Sequence, residues 1–210
     1  MLPQEPATKR AVAFFDGQNL FYAAKKAFGY NFPNYDPSAL AQAVCVRQGW
    51  QLSQVRFYTG IPSVQADPQR HAFWTEKLRH MNSAGVVTFT RRLQYRNKVI
   101  ALPDGSAHTL LVGQEKGIDV RIALDIIGVA YRNQADVILV FSQDQDLSEA
   151  ADEIRQIAAD QKRWIKIASA FPLSPTVFNP RGINNTDWIK LDRALYETCI
   201  DPRDYRPKGG

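Results

Sequence analysis

Cysteine is scarce in this chain: only Cys45 and Cys199 occur among 210 residues. Neither has a second thiol or a histidine at metal-ligand spacing, and a pair so far apart defines no disulfide framework. A reducing, cytoplasmic setting is therefore expected. The three histidines, His71, His80 and His108, are scattered and earn no catalytic assignment. No apolar run approaches the roughly 20 residues that span a bilayer, so no membrane partner is expected. The N-terminal stretch MLPQEPATKR lacks the apolar core of a signal peptide. Repeats and low-complexity tracts are also missing, which leaves one α/β domain as the natural size class for this length. The charge balance is uneven but mild. Lys and Arg number 26 against 21 Asp and Glu, a formal net charge of +5, which leans toward a polyanionic partner such as nucleic acid.

What is present is an alternation of apolar strands and amphipathic helices. Ala11–Phe15, Val55–Tyr58, Val86–Thr90, Ala135–Phe141 and Trp164–Ala168 read as five strands. Helices are expected from Leu20 to Gly29, from Asp36 to about Gln48, from Asp67 to about Met81, over IDVRIALDIIGVAY from Ile118, and along Leu147, Ala150, Ala151, Ile154 and Ile157. Alternation of this kind builds a parallel sheet covered on both faces by right-handed crossovers. The pattern is interrupted once. Pro103-Asp104-Gly105 is a turn signal between Val99–Leu102 and Thr109–Val112, which predicts an inserted hairpin at about residues 91–112. Residues 1–10 and 171–210 are expected to lie outside the central domain of 11–170, the latter as an extension packed on it. Within that extension Asn185-Thr186-Asp187 suits a helix cap while Trp188-Ile189-Lys190-Leu191 also fits a strand, and Asp192–Cys199 is expected to be helical.

Carboxylates cluster at the strand ends. Asp16 closes the first strand, and Asp144 and Asp146 follow the fourth with Gln145 between them. If the sheet reverses order between these strands, the acids share the crevice at the carboxyl edge where open α/β sheets bind ligands. Asp119 opens the helix that enters the fourth strand and so reaches the same edge. Each acid alone also suits a helix start, where a side-chain oxygen accepts orphan amides or meets the helix dipole; Asn19 does too. Asp125 lies off the face of Asp119 and reads as a supporting or structural residue. Like charges in one crevice need a cation, and hard oxygen donors without His or Cys point to Mg²⁺ or Mn²⁺. Such a site activates water for phosphodiester cleavage. Arg91, Arg92, Arg96 and Lys98, with Tyr95 as a stacking platform and Lys116 at the crevice, are the candidate substrate-binding residues. A solvated edge strand accounts for the same basic stretch.

Asp16-Gly-Gln-Asn19-Leu, Lys116-Gly-Ile-Asp119-Val with Ala123-Leu-Asp125, and Ser142-Gln-Asp144-Gln-Asp146-Leu resemble the three signature segments of NYN domains, members of the PIN-like superfamily of metal-dependent nucleases. The resemblance runs from about Val12 to Ala168 in the family's order. One departure is Gln143, where the family often has Gly. The resemblance implies a three-layer α/β/α, PIN-like (Rossmann-like) domain with a central, mostly parallel five-stranded sheet, to which the β-hairpin around Asp104-Gly105 and the segment after Phe171 look like additions that steer substrate or partner. It implies that Asp16, Asp119, Asp144 and Asp146 bind Mg²⁺ or Mn²⁺ with support from Asn19, and that the substrate is nucleic acid, usually RNA. An RNA-binding module without turnover and a nuclease acting on DNA are the alternatives, and self-association is left open. Other chemistries fit less well. A haloacid dehalogenase-like phosphotransferase wants a second Asp where Gln18 stands. A toprim-type nuclease wants Glu where Asp16 stands. A dinucleotide enzyme wants a glycine-rich turn in place of Asp16-Gly17-Gln18-Asn19-Leu20.

Overall fold

The computed structural model describes residues 3–101, 106–175 and 181–207. In chain order the elements are β1 (Arg10–Asp16), α1 (Gly17–Phe28), α2 (Pro37–Gln48), β2 (Gln51–Ile61), α3 (Pro68–Ser83), β3 (Val87–Arg92), β4 (Gln94–Ala101) and β5 (Ala107–Gln114). These are followed by α4 (Ile118–Tyr131), β6 (Val137–Phe141), α5 (Ser148–Asp160), β7 (Lys166–Pro172), β8 (Asp187–Leu191) and α6 (Arg193–Glu197). The turn expected at Pro103-Asp104-Gly105 and the middle of the Phe171–Arg181 loop lie outside the described residues.

The main sheet runs β3-β2-β1-β6-β7-β8, and every pairing in it is parallel. β1 and β6 are buried along the whole apolar run because both faces are covered, which is why their sequences do not alternate. Ala11, Ala13 and Phe15 with Val137, Leu139 and Phe141 face one layer, built on Leu20, Leu40, Val44, Trp74 and Leu78 of α1, α2 and α3. Val12 and Phe14 with Ile138 and Val140 face the other, built on Ile122 and Ile126 of α4 and Ile154 and Ile157 of α5. Phe15 stacks on Phe141 at 4.0 Å between ring centroids, which fixes the β1–β6 seam at its carboxyl end. Arg10 locks the other end, its amide and guanidinium both donating to Asp136.

The sheet order reverses at that seam. From β1 the chain winds outward through β2 to β3, then returns to lay β6 on the free side of β1 and winds out again through β7 to β8. The β1 and β6 carboxyl ends therefore open on the crevice of the switch point.

Three expectations need correction. The sheet has six strands, not five: β8 adds to β7 through Ala168↔Asp187 to Pro172↔Leu191. Its five residues sit at an edge with only Leu191 buried, so pairing rather than an apolar pattern makes it a strand. The hairpin is longer than Val99–Leu102 with Thr109–Val112. It pairs from Gln94↔Gln114 to Ala101↔Ala107 as a separate two-stranded sheet. α6 is also shorter than Asp192–Cys199. Beyond it the chain returns to the core, where Asp201 N–H donates to the Asn34 carbonyl and the Asp201 carboxylate meets Lys77 of α3 at 3.3 Å.

Candidate active site

Asp16 is both the last residue of β1 and the N-cap of α1, so the capping and site readings hold together. Its Oδ1 accepts the Asn19 amide at 3.1 Å and its Oδ2 accepts the Ser142 hydroxyl at 3.3 Å. The same Ser142 oxygen accepts the Asp144 amide at 3.1 Å, so one hydroxyl joins the acids of two strands. A second strap crosses the seam: Asn19 Oδ1 accepts the Gln143 amide at 2.9 Å. Asp16 is 6 % exposed. Burial pushes its carboxyl up to about 6; the Asn19 amide opposes the shift, while the charges of Asp144 and Asp119 add to it.

One crevice at this edge is lined by Asp16, Asn19, Tyr22, Glu115, Asp119 and Asp144, with Gln18 and the Lys116–Ile118 segment completing it. Asp119 stands in the first turn of α4, after Gly117 in the left-handed region at φ 70°. The Arg91 guanidinium lies over that glycine, where a Cβ would fall 3.0 Å from Nη1, so Arg91 reaches the crevice mouth. Glu115 was missed in the sequence. Its Oε2 accepts the Gly60 amide of β2 at 3.0 Å. Burial and the charges of Asp16 and Asp119 hold its carboxyl at about 7, against the opposing Gly60 bond. The signal for it was a lone acid four residues before Asp119, at the entry of α4.

Hard carboxylate and amide oxygens make up the donor set of this crevice, with no His or Cys among its walls, which suits Mg²⁺ or Mn²⁺. Among the described residues no three His, Cys, Asp or Glu side chains are arranged to hold an ion as they stand.

The other expected residues lie elsewhere. Asp146 is exposed in a single 3-10 turn (Gln145–Leu147), its amide donating to Asp144 Oδ1 at 3.1 Å, and it does not line the crevice. Asp125 points to β2: it accepts the Tyr58 hydroxyl at 2.8 Å and pairs with Arg121 at 2.9 Å. Arg92, Arg96 and Lys98 are exposed on β3 and β4 and line neither this crevice nor the cavity beside it. Tyr95 does line that neighbouring cavity, and its hydroxyl accepts the Ser63 amide at 3.1 Å.

Gln143 and Gln145 carry a function that their composition did not announce. Gln143 Nε2 donates to the Arg181 carbonyl at 2.6 Å, and Gln145 Nε2 donates to the Gly182 carbonyl at 2.9 Å. Gln145 Oε1 accepts the Asn184 amide at 3.1 Å. Ser169 adds a buried link, donating to the Ser142 carbonyl and accepting the Ile183 amide. Residues 181–184 thus brace the turn that holds Asp144.

Among known proteins, no curated sequence matches the chain. A Vibrio parahaemolyticus protein of unknown function is similar in structure, with a TM-score of 0.53 and 21 % identity over 90 % of this chain and 97 % of that one. Giardia lamblia ribokinase follows at a TM-score of 0.36 and 12 % identity, covering 82 % of this chain and 53 % of its own. The family model of the NYN domain matches residues 10–176. That span includes both strands of the seam and every acid of the crevice, and the chain belongs to the NYN domain family of the PIN-like nuclease superfamily.

Proposed function

We propose that the protein is a metal-dependent endoribonuclease. The observation that carries this reading is the convergence of Asp16, of Glu115 and Asp119, and of Asp144, from three separate segments, on one crevice at the sheet's switch point. Asp16, Asp119 and Asp144 would hold Mg²⁺ or Mn²⁺, with Glu115 as a further oxygen facing the same space. When bound, such an ion supplies Lewis-acid activation of water and neutralises charge on a phosphate oxygen. Asn19 and Ser142 keep Asp16 and Asp144 in register across the seam. Arg91 and Lys116 stand at the crevice mouth and offset the repulsion that the acids exert on a phosphate backbone. RNA is the substrate favoured by the family, and the net charge of +5 suits a polyanion. A reducing cytoplasm suits two free, buried thiols at Cys45 and Cys199.

The test is incubation with structured and single-stranded RNA and DNA in Mg²⁺, Mn²⁺ or chelator, beside Asp144→Asn. The expected result is RNA cleavage that chelator and Asp144→Asn both abolish, with an unchanged circular dichroism spectrum. Cleavage retained by Asp144→Asn overturns the assignment. Binding without cutting makes the protein an RNA-binding module, and cutting of DNA alone moves the substrate.

A further inference from the structure

A second cavity adjoins the acid crevice, and its walls differ in kind. It has a volume of about 650 Å³, within the roughly 300–1,000 Å³ usual for small-molecule sites. Phe21 of α1 and Phe73 and Trp74 of α3, all below 10 % exposure, line it from the core side. Tyr22 and Phe32 line it while remaining 54 % and 41 % exposed, and Tyr95 of the hairpin closes another wall. Tyr22 and Gln18 line both this cavity and the acid crevice, so the two spaces adjoin. Arg206 lies over the Phe32 ring at 5.3 Å and pairs with Asp204 at 2.6 Å, and Arg70 lines the cavity beside its partner Asp67 at 4.0 Å, so polar groups border the aromatic walls.

We propose that this cavity holds one unpaired nucleobase of the strand whose phosphate lies at the acid crevice, and that it makes the protein selective for single-stranded nucleic acid. The proposal rests on the nuclease reading and deepens it. Aromatic faces stack on any base, because every base has a π face. Tyr22 stands where the base would turn from the crevice into the cavity. A base inside a duplex has both faces covered by its neighbours and cannot enter without being extruded.

The experiment is an abasic scan. A single-stranded RNA that the protein cuts at a known bond is made with one abasic residue at each position near that bond. Wild type and Tyr22→Ala are compared, with Tyr22→Phe as control. In wild type, cleavage is expected to fall about tenfold with the abasic site at one position and to change little elsewhere. Tyr22→Ala is expected to cut the intact strand about tenfold more slowly and to be indifferent to the scan, whereas Tyr22→Phe behaves as wild type. Annealing a complement is expected to protect the strand. A flat scan in wild type with normal cutting overturns the cavity proposal and leaves the nuclease reading standing. If no nucleic acid is cut, Trp74 fluorescence is titrated with AMP and UMP. Quenching in wild type that is lost in Tyr22→Ala then supports the cavity although the nuclease reading has failed, and no quenching overturns both.

Discussion

Lys77→Met tests how the C-terminal segment is held. Lys77 is 1 % exposed on α3, and Nζ donates to the Tyr35 carbonyl at 3.0 Å and to Asp201 Oδ2 at 3.3 Å. Asp201 is 6 % exposed and also accepts the Tyr205 hydroxyl at 2.7 Å and the Arg203 amide at 3.1 Å. Methionine fills the space of the lysine stem but removes the buried cation from the carboxylate, leaving the Arg203 guanidinium at 3.5 Å. Breaking one side of a buried pair costs about 3–5 kcal/mol. The low end applies here, because Tyr205 and Arg203 still donate. A loss of about 3 kcal/mol corresponds to a fall in Tm of roughly 6–12 °C for a domain of this size. Urea denaturation followed by circular dichroism on wild type, Lys77→Met, Asp201→Asn and the double variant gives the coupling. The double variant is expected to lose about 2 kcal/mol less than the sum of the single losses, because the neutral amide no longer needs a cation. Additivity, or a loss below about 1 kcal/mol in Lys77→Met, refutes the reasoning. The stake extends to the cavity, since Arg206 and Pro207 of its wall follow closely on this anchor.

Three further outcomes follow from the same contacts. Asn19→Ala leaves the Gln143 amide without its acceptor, at a cost of about 1–2 kcal/mol; loosened registry of Asp16 and Asp144 lowers cleavage about 100-fold, and a wild-type rate would remove the strap from the account. Gly17→Ala places a Cβ 2.6 Å from Phe57 Cζ and 3.0 Å from the Tyr58 carbonyl oxygen, so thermal melts should show about 1–3 kcal/mol of overpacking. Burial raises the Asp201 carboxyl pKa, but the Tyr205 hydroxyl, the Arg203 amide and Lys77 together hold it below the ordinary value. A depressed carboxyl contributes stability that is present above its unfolded pKa of about 4 and lost as pH falls through the folded value. Asp201→Asn should therefore flatten the acid limb of the stability curve, measured as urea midpoints from about pH 2 to pH 5.

The seam was legible because its signals are local. AVAFF and VILVF are unbroken apolar runs, and each ends abruptly in an acid within a few residues, so strands, edge and carboxylates could be read together. The residues that escaped depend on distant partners. Glu115 looks like one polar residue in a loop, and only the Gly60 amide, 55 positions away, turns it into the crevice. Lys77 looks like a surface lysine on α3 until Asp201 returns to cover it. Gln143 and Gln145 are defined by carbonyls at Arg181 and Gly182. β8 offers only Leu191 to the core, so its identity lies in the β7 edge it pairs with. Composition alone selected Arg92, Arg96 and Lys98, and the hairpin carries Arg96 and Lys98 on a separate sheet. Arg91 lies over Gly117 at the crevice mouth, a contact that depends on the fold rather than on composition.

Mn²⁺ titration of the intact protein, read by thermal shift, bears most directly on the acid nest. A cation that binds only the folded state stabilises it by about 2.7 kcal/mol at a hundredfold excess over its Kd. Wild type is expected to rise in Tm by several degrees with Mn²⁺, while Asp16→Asn and Asp144→Asn stay flat. An equal rise in all three proteins would place the ion elsewhere and contradict the account.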